Sequence, residues 1–206
     1  MAYPTVSAPY GFKPVNRQDG MPYAGATTQY AIKSVTTTIK NGDLVYINAG
    51  EIAKSGVTNN STTATNYTAG VFMGCQYVNT QGQTVQAQYY PGNAAASSAI
   101  AYVVVDQNAA YRVAVTNGSG VISSTTVGAI GVNLVVDQTG TGSTTTGDSG
   151  IGVTAPTAGL GNSASYPVKV IGVVPETATS STAFPEVFVV LTNPQMTAAA
   201  GSVDFA

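Results

Sequence analysis

The side chains that could perform chemistry in this chain are few. Its 206 residues include no histidine, one cysteine, seven basic residues and nine acidic residues. A serine nucleophile needs a neighbouring base, and histidine most often serves as that base near neutral pH. The acidic residues do not follow the alternating pattern of a calcium loop. We therefore predict that the protein is not an enzyme and that it holds no metal or cofactor.

Cys75 is the single thiol, and it ends the apolar run VFMGC at residues 71–75. A reactive cysteine requires a nearby base or cation that stabilises the thiolate. No charged residue lies close to Cys75 in the sequence. We therefore predict that Cys75 is a small buried hydrophobic residue.

Residues 139–150 form a polar stretch, TGTGSTTTGDSG, that follows Asp137 and contains Asp148. Such a loop could bind calcium through carboxylate and carbonyl oxygens. The favoured alternative is that each aspartate ends a strand or caps a turn. The stretch also lacks the Gly-Lys-Ser/Thr end of a phosphate-binding loop, which argues against a nucleotide site.

The charge content bears on the partners. Only 8% of the residues are charged, against about a quarter in an average soluble domain. The net charge is −2 and the basic residues are scattered, so we predict no binding to nucleic acid or to a membrane. Surface charge keeps molecules apart in solution. A chain with so little of it is expected to pack against neighbouring subunits.

The spacing of hydrophobic residues indicates β structure. Short runs rich in β-branched and aromatic residues alternate with glycine and asparagine turns. The predicted strands are residues 27–32, 44–48, 71–78, 83–90, 100–106, 111–116, 132–137, 166–174 and 186–192. This pattern predicts an all-β fold, an antiparallel β-barrel or a jelly-roll-like sandwich. We expect at most one or two short helices, one of them at residues 124–130.

Residues 1–26 are predicted to form an extended N-terminal arm, because four prolines prevent a long helix there. Aromatic residues of this arm are the candidate partner-binding anchors: Tyr3, Tyr10, Phe12 and Tyr23. An equally weighted alternative is a proline-rich strand folded back on its own domain. Residues 27–206 are predicted to form the β domain, with long polar loops near 58–68 and 139–150.

Several motifs follow one another in an order that resembles a known family. They are APYGFKPV at residues 8–15, GATTQYAI at 25–32, NGDLV at 41–45, AGVFMGCQY at 69–77 and AYVVVD at 101–106. This order resembles the small structural proteins encoded beside the major head protein in many marine tailed bacteriophages. Some of those proteins are capsid decoration, or cement, proteins.

The resemblance implies a β protein on the outer face of an icosahedral phage head, made in the bacterial cytoplasm and carried on the virion. It implies that the major capsid protein is the partner, that neighbouring capsid subunits are clamped together, and that the protein forms a homotrimer. Two alternatives stay open. One is a tail or fibre component. The other is a host-surface glycan-binding module, in which sugars would stack on Tyr67, Tyr77, Tyr89 and Tyr90.

Overall fold

The computed structural model describes residues 6–34, 37–56, 68–92, 96–116, 130–154, 166–177, 184–192 and 194–195. These residues form fourteen strands and no helix, which confirms the all-β prediction. In chain order the strands are β1 Lys13–Arg17, β2 Thr28–Ala31, β3 Ile39–Lys40, β4 Leu44–Asn48, β5 Glu51–Lys54, β6 Gly70–Asn79, β7 Thr84–Ala87, β8 Tyr89–Tyr90, β9 Ala96–Val104, β10 Ala109–Ala114, β11 Asn133–Asp137, β12 Gly152–Thr154, β13 Val168–Val173 and β14 Glu186–Leu191. The helix predicted at residues 124–130 and the loop predicted near 58–68 fall almost entirely outside the described residues.

Two antiparallel sheets make up most of the fold. The first has the strand order β1-β10-β14-β13-β11-β12. The second has the order β2-β9-β6-β4-β5, with β7 paired to β6, and a small third sheet pairs β3 with β8. A single bridge between Ile32 and Ile52 brings the two edges of the second sheet together at one end. This contact is one bridge and not a continuous ladder of hydrogen bonds. In the described part of the chain the architecture is therefore sandwich-like and not a closed barrel.

Two hydrophobic clusters form the core. The first lies between the two large sheets, because it combines Val113 and Val189 of the first sheet with Leu44 and Val71 of the second. The second cluster lies between the second sheet and the β3–β8 pair, and Phe72 belongs to it. Successive residues of a strand point to opposite faces. Strand β6 therefore supplies Val71 to one cluster and Phe72 to the other.

The N-terminal segment is part of the domain. Phe12 is fully buried in the first cluster and packs edge-on against Tyr111, with ring centroids 6.2 Å apart. Residues Lys13–Arg17 form β1, which pairs with β10 at the edge of the first sheet. Proline is tolerated at such an edge, and Pro14 occupies this position. For these residues the structure has the strand folded back on its own domain, which is the alternative to a partner-binding arm.

Cys75 has the environment that the sequence predicts. The side chain is 1% exposed, and the Sγ donates to the Tyr89 carbonyl at 3.4 Å. Burial raises the pKa of the thiol to about 12. Cys75 is therefore a protonated core residue at neutral pH.

Candidate interaction site

The four candidate anchors lie in different environments. Tyr3 is outside the described residues. Phe12 is wholly buried, and its ring fills the core of its own domain instead of presenting a surface to a partner. Tyr10 and Tyr23 are half-buried, and both hydroxyls bond within the chain. The structure brings Tyr10 and Phe12 together on one segment but turns them to different surroundings.

Tyr10 is held by a buried carboxylate. Glu186, at the start of β14, is 1% exposed, and it accepts hydrogen bonds from the Tyr10 hydroxyl and from the Arg112 guanidinium. The Glu186 backbone N–H donates to the Thr177 Oγ1 at 2.9 Å. Burial and the hydrogen bond to Glu186 raise the pKa of Tyr10 far above its usual value. The cluster therefore attaches the N-terminal segment to the first sheet.

Tyr23 holds the segment between β1 and β2 in place. Its hydroxyl donates to the Ala26 carbonyl at 2.5 Å, and its ring packs against the first core cluster. Burial and the neighbouring Asp106 carboxylate raise the pKa of Tyr23. These contacts position the chain that enters β2.

A groove of about 590 Å³ separates the N-terminal segment from the glycine- and threonine-rich loop. Residues 7–10 line one side, and residues of the 140–150 stretch line the other. The loop is held by its own backbone: the Ser143 N–H donates to the Asp148 carbonyl at 2.9 Å. The backbones at Gly140 and Gly150 approach so closely that a Cβ on Gly140 would lie 1.9 Å from the Gly150 carbonyl oxygen. The predicted long loop at 139–150 thus has a fixed backbone and lines one side of the groove. Asp148 is its single charged residue.

Asn41 connects this loop to the N-terminal strand. Its Oδ1 accepts from the Lys13 Nζ at 2.5 Å, and its Nδ2 donates to the Met73 carbonyl at 2.7 Å. The same Lys13 Nζ lies 2.6 Å from the Asp148 Oδ1. The Asn41 backbone N–H donates to the Gly147 carbonyl at 2.9 Å. Three polar side chains from distant parts of the sequence therefore meet beside the groove.

Asp43 is a second buried carboxylate, with no exposed surface. It accepts from the Ser149 Oγ at 2.6 Å and from the Lys40 backbone N–H at 2.8 Å, and it pairs with the Lys54 Nζ at 3.0 Å. Ser149 itself is 1% exposed. This serine and its carboxylate have no access to a substrate, and the cluster stabilises the turn at residues 40–43.

Asp137 caps a turn. Its Oδ1 accepts from the Thr139 N–H at 2.9 Å and from the Thr139 hydroxyl at 2.6 Å. Burial alone would raise the pKa of Asp137, but hydrogen bonds from Thr116 and Thr139 outweigh burial and hold the pKa below its usual value. In the described part of the chain, no group of three His, Cys, Asp or Glu is placed to hold a metal ion. The contacts of Asp137 and Asp148 fit the capping and pairing roles better than a calcium site.

More than half of the charged side chains form ion pairs within the chain. Five ion pairs among the described residues engage four of the seven basic and five of the nine acidic residues. The pairs are Lys13–Asp148, Arg17–Asp19, Arg17–Asp106, Lys54–Asp43 and Arg112–Glu186. A further basic side chain, Lys40, donates to the Thr141 carbonyl. The outer surface is therefore even poorer in unpaired charge than the composition suggests.

Strand β2 forms an edge of the second sheet. Thr28, Gln29 and Ala31 are exposed, and the strand contains no charged residue and no proline. Proteins usually protect edge strands with such residues. The Ile32 N–H donates to the Ala99 carbonyl of β9, so by the alternation of the ladder the Gln29 N–H points away from β9. Up to the Ile32–Ile52 bridge that follows the strand, the edge offers backbone groups to an added strand.

The three tyrosines of the glycan hypothesis that the structure describes do not form an exposed platform. Tyr90 is 2% exposed, so it is not available for stacking on a sugar. Tyr77 and Tyr89 are half-buried, and Tyr67 is outside the described residues. The sequence could not distinguish these environments, because an aromatic residue in a strand can face either side of the sheet.

No helix in the described ranges has the length and apolar character needed to cross a membrane. No family model matches the chain, and no curated protein or solved structure is detectably similar to it.

Proposed function

We propose that this chain is a virion structural protein that binds the outer surface of an icosahedral phage head and clamps neighbouring major capsid subunits. The support begins with the family resemblance of residues 8–115 and with the all-β sandwich. The proposal includes a homotrimer, because the family that the sequence resembles commonly forms trimers.

The observation that carries the proposal is that many charged side chains form ion pairs with one another within the chain. Charged side chains normally keep copies of a soluble protein apart. Here most of the basic residues and more than half of the acidic ones pair within the fold. Such a surface suits a subunit that is permanently packed against others.

Strand addition is the proposed mode of binding. An extended segment of the major capsid protein would pair with the open edge of β2, through backbone hydrogen bonds that need no particular side chain. Many copies around the shell would convert a modest single contact into strong retention. The proposed role of Tyr10 is then internal: it fixes the segment that precedes β1 against the first sheet.

The test uses phage heads that lack this protein, to which purified protein is added and the copies bound per head are counted. We expect saturable binding by the wild-type chain and by Gln86→Pro, which alters a different edge strand. Gln29→Pro removes the outward N–H of β2 and is expected to reduce retention at least tenfold. Failure of the folded wild-type chain to bind heads would overturn the proposal.

The arm is tested separately by a short truncation. Deleting residues 1–26 would also remove Phe12 and β1 from the core and would unfold the domain. Deleting residues 1–7 leaves both in place. Unchanged head affinity after this shorter deletion would remove the arm from the proposed mechanism while leaving the β2 contact to be judged by its own variant.

The alternative of a tail or fibre component predicts a different abundance. A head-surface protein is present in many more copies per virion than a tail protein. Quantitative mass spectrometry of purified particles, calibrated against the major capsid protein, distinguishes the two.

A further inference from the structure

The cluster of Lys13, Asn41 and Asp148 contains the groups required for a covalent cross-link. A primary amine lies beside a carboxamide, at 2.5 Å from Nζ to Oδ1, and a carboxylate lies 2.6 Å from the same amine. The residues come from β1, from the turn that follows β3 and from the glycine- and threonine-rich loop. They are separated by 28 and 135 positions from Lys13.

We propose that Lys13 and Asn41 form an intramolecular isopeptide bond, with Asp148 as the proton-transfer group. The inference does not depend on the proposed binding to phage heads. It rests on the two contacts of the Lys13 Nζ and on the fixed orientation of the Asn41 carboxamide.

The reaction needs no external reagent. The Lys13 ammonium gives one proton to the Asp148 carboxylate, and the neutral Nζ attacks the Asn41 Cγ. A new Nζ–Cγ amide bond forms and the Cγ–Nδ2 bond breaks. Nδ2 takes one proton that the attacking nitrogen loses and the proton held by Asp148, and it leaves as ammonium. Asp148 is thereby restored as a carboxylate, and nothing is oxidised or reduced.

The surroundings hold the reacting groups in place. Asn41 is 8% exposed, and its backbone is fixed on both sides by hydrogen bonds to the 147–149 stretch. The Nδ2 is directed to the Met73 carbonyl, so the oxygen side of the carboxamide faces Lys13. Holding an amine and an acyl group in contact raises the rate of such a reaction by a large effective concentration. Asp148 also lines the groove, which gives the released ammonium a path to solvent.

Intact-mass spectrometry of the purified full chain tests the bond. Because the reaction expels ammonia, the wild-type protein should weigh about 17 Da less than its calculated mass. A wild-type chain that keeps its full calculated mass after prolonged incubation would overturn the proposal.

A succinimide at Asn41-Gly42 would give the same mass deficit, and a lysine variant separates the two products. Lys13→Gln keeps the asparagine and the glycine, so a succinimide would persist in it while an isopeptide bond would not form. We expect Lys13→Gln and Asn41→Ala to have their full calculated masses. A deficit retained in Lys13→Gln would overturn the cross-link.

Asp148→Asn tests the proton transfer, because the amide keeps the size of the side chain but cannot accept the proton. We expect the full calculated mass in this variant, and cross-linking at the wild-type rate would refute the role of Asp148. The matched control is Lys169→Gln, which removes an exposed lysine of β13, away from the Lys13, Asn41 and Asp148 cluster. This control should keep the mass deficit.

Peptide mapping locates the bond without relying on any variant. Trypsin does not cleave between Lys13 and Pro14, and it cleaves after Arg17, Lys40 and Lys54. The expected product is one branched species that joins the fragment ending at Arg17 to residues 41–54. Recovery of these two fragments only as separate peptides would contradict the proposal.

Discussion

Individual side chains decide how the N-terminal segment is held. Glu186 was not among the sequence candidates, because a lone glutamate at the start of a predicted strand gives no sign of its partners. The sequence predicts Tyr10 as a partner-binding anchor, and in the structure its hydroxyl bonds to Glu186 of its own sheet. The sequence revealed the residue type, whereas its target depended on which strand lies beside residues 6–12.

Glu186→Ala is expected to destabilise the protein by about 2 kcal/mol, because it leaves Arg112 and Tyr10 without their acceptor. The figure is below that for a fully buried pair, since the Arg112 side chain is 37% exposed. Urea denaturation measures the change. Glu176→Ala, at an exposed position, should alter the free energy of unfolding by less than about 0.5 kcal/mol. Equal effects in the two variants would contradict the role assigned to Glu186.

The raised pKa of the buried Cys75 thiol predicts a loss of stability at alkaline pH. The folded thiol has a pKa of about 12, whereas an unfolded thiol titrates near about 8.5. The unfolded chain therefore releases the proton first, and the free energy of unfolding falls as the pH rises between these two values. Cys75→Ala should show a smaller fall between pH 8.5 and pH 10, measured by urea denaturation at each pH. Identical slopes would show that the thiol is not responsible.

The strands illustrate what local pattern could and could not predict. Strand β4 was predicted with its exact ends, and β6, β9, β10 and β14 within a few residues, because their apolar runs are long. Strand β1 was missed because prolines dominate its neighbourhood. Strand β5 was missed because its four residues begin with Glu51 and end with Lys54. The two-residue turn before it, in which Ala49 and Gly50 have positive φ, was the available signal.

The glycine- and threonine-rich loop depends on a close backbone approach. Gly140→Ala would place a Cβ against the Gly150 carbonyl, and we expect a loss of about 1–3 kcal/mol from the displaced backbone. Gly56→Ala is the control, because nothing lies within 4 Å of its Cβ position. Differential scanning fluorimetry of the two variants compares them. A melting temperature for Gly140→Ala equal to that of Gly56→Ala would show that the loop adjusts freely.

The whole protein combines a predictable core with an unpredictable surface. The scarcity of charge was visible in the composition, but the pairing of those charges was not. Pairs such as Arg112–Glu186 join residues 74 positions apart, and only the assembled sheet brings them together. The sequence accordingly points to the aromatic residues near the N-terminus as partner-binding anchors, whereas the exposed edge of β2 depends on strand pairing that the local sequence does not reveal.

The proposed retention on phage heads should depend little on ionic strength. Screening by salt weakens contacts between exposed charges, and the edge of β2 has none. We expect the number of copies bound per head to change by less than about twofold between low and high salt. Sedimentation of decorated heads at several salt concentrations measures this number. Release in high salt would indicate a charged interface instead.

Strand β6 has a thermodynamic consequence. It contributes to both hydrophobic clusters, so neither cluster can melt while the other keeps its full set of contacts. Heating should therefore give a single calorimetric transition, with no stable half-folded form that exposes one layer of the sandwich. A subunit with this property would be either intact or wholly unfolded, and it would not linger on a particle in a partly open state.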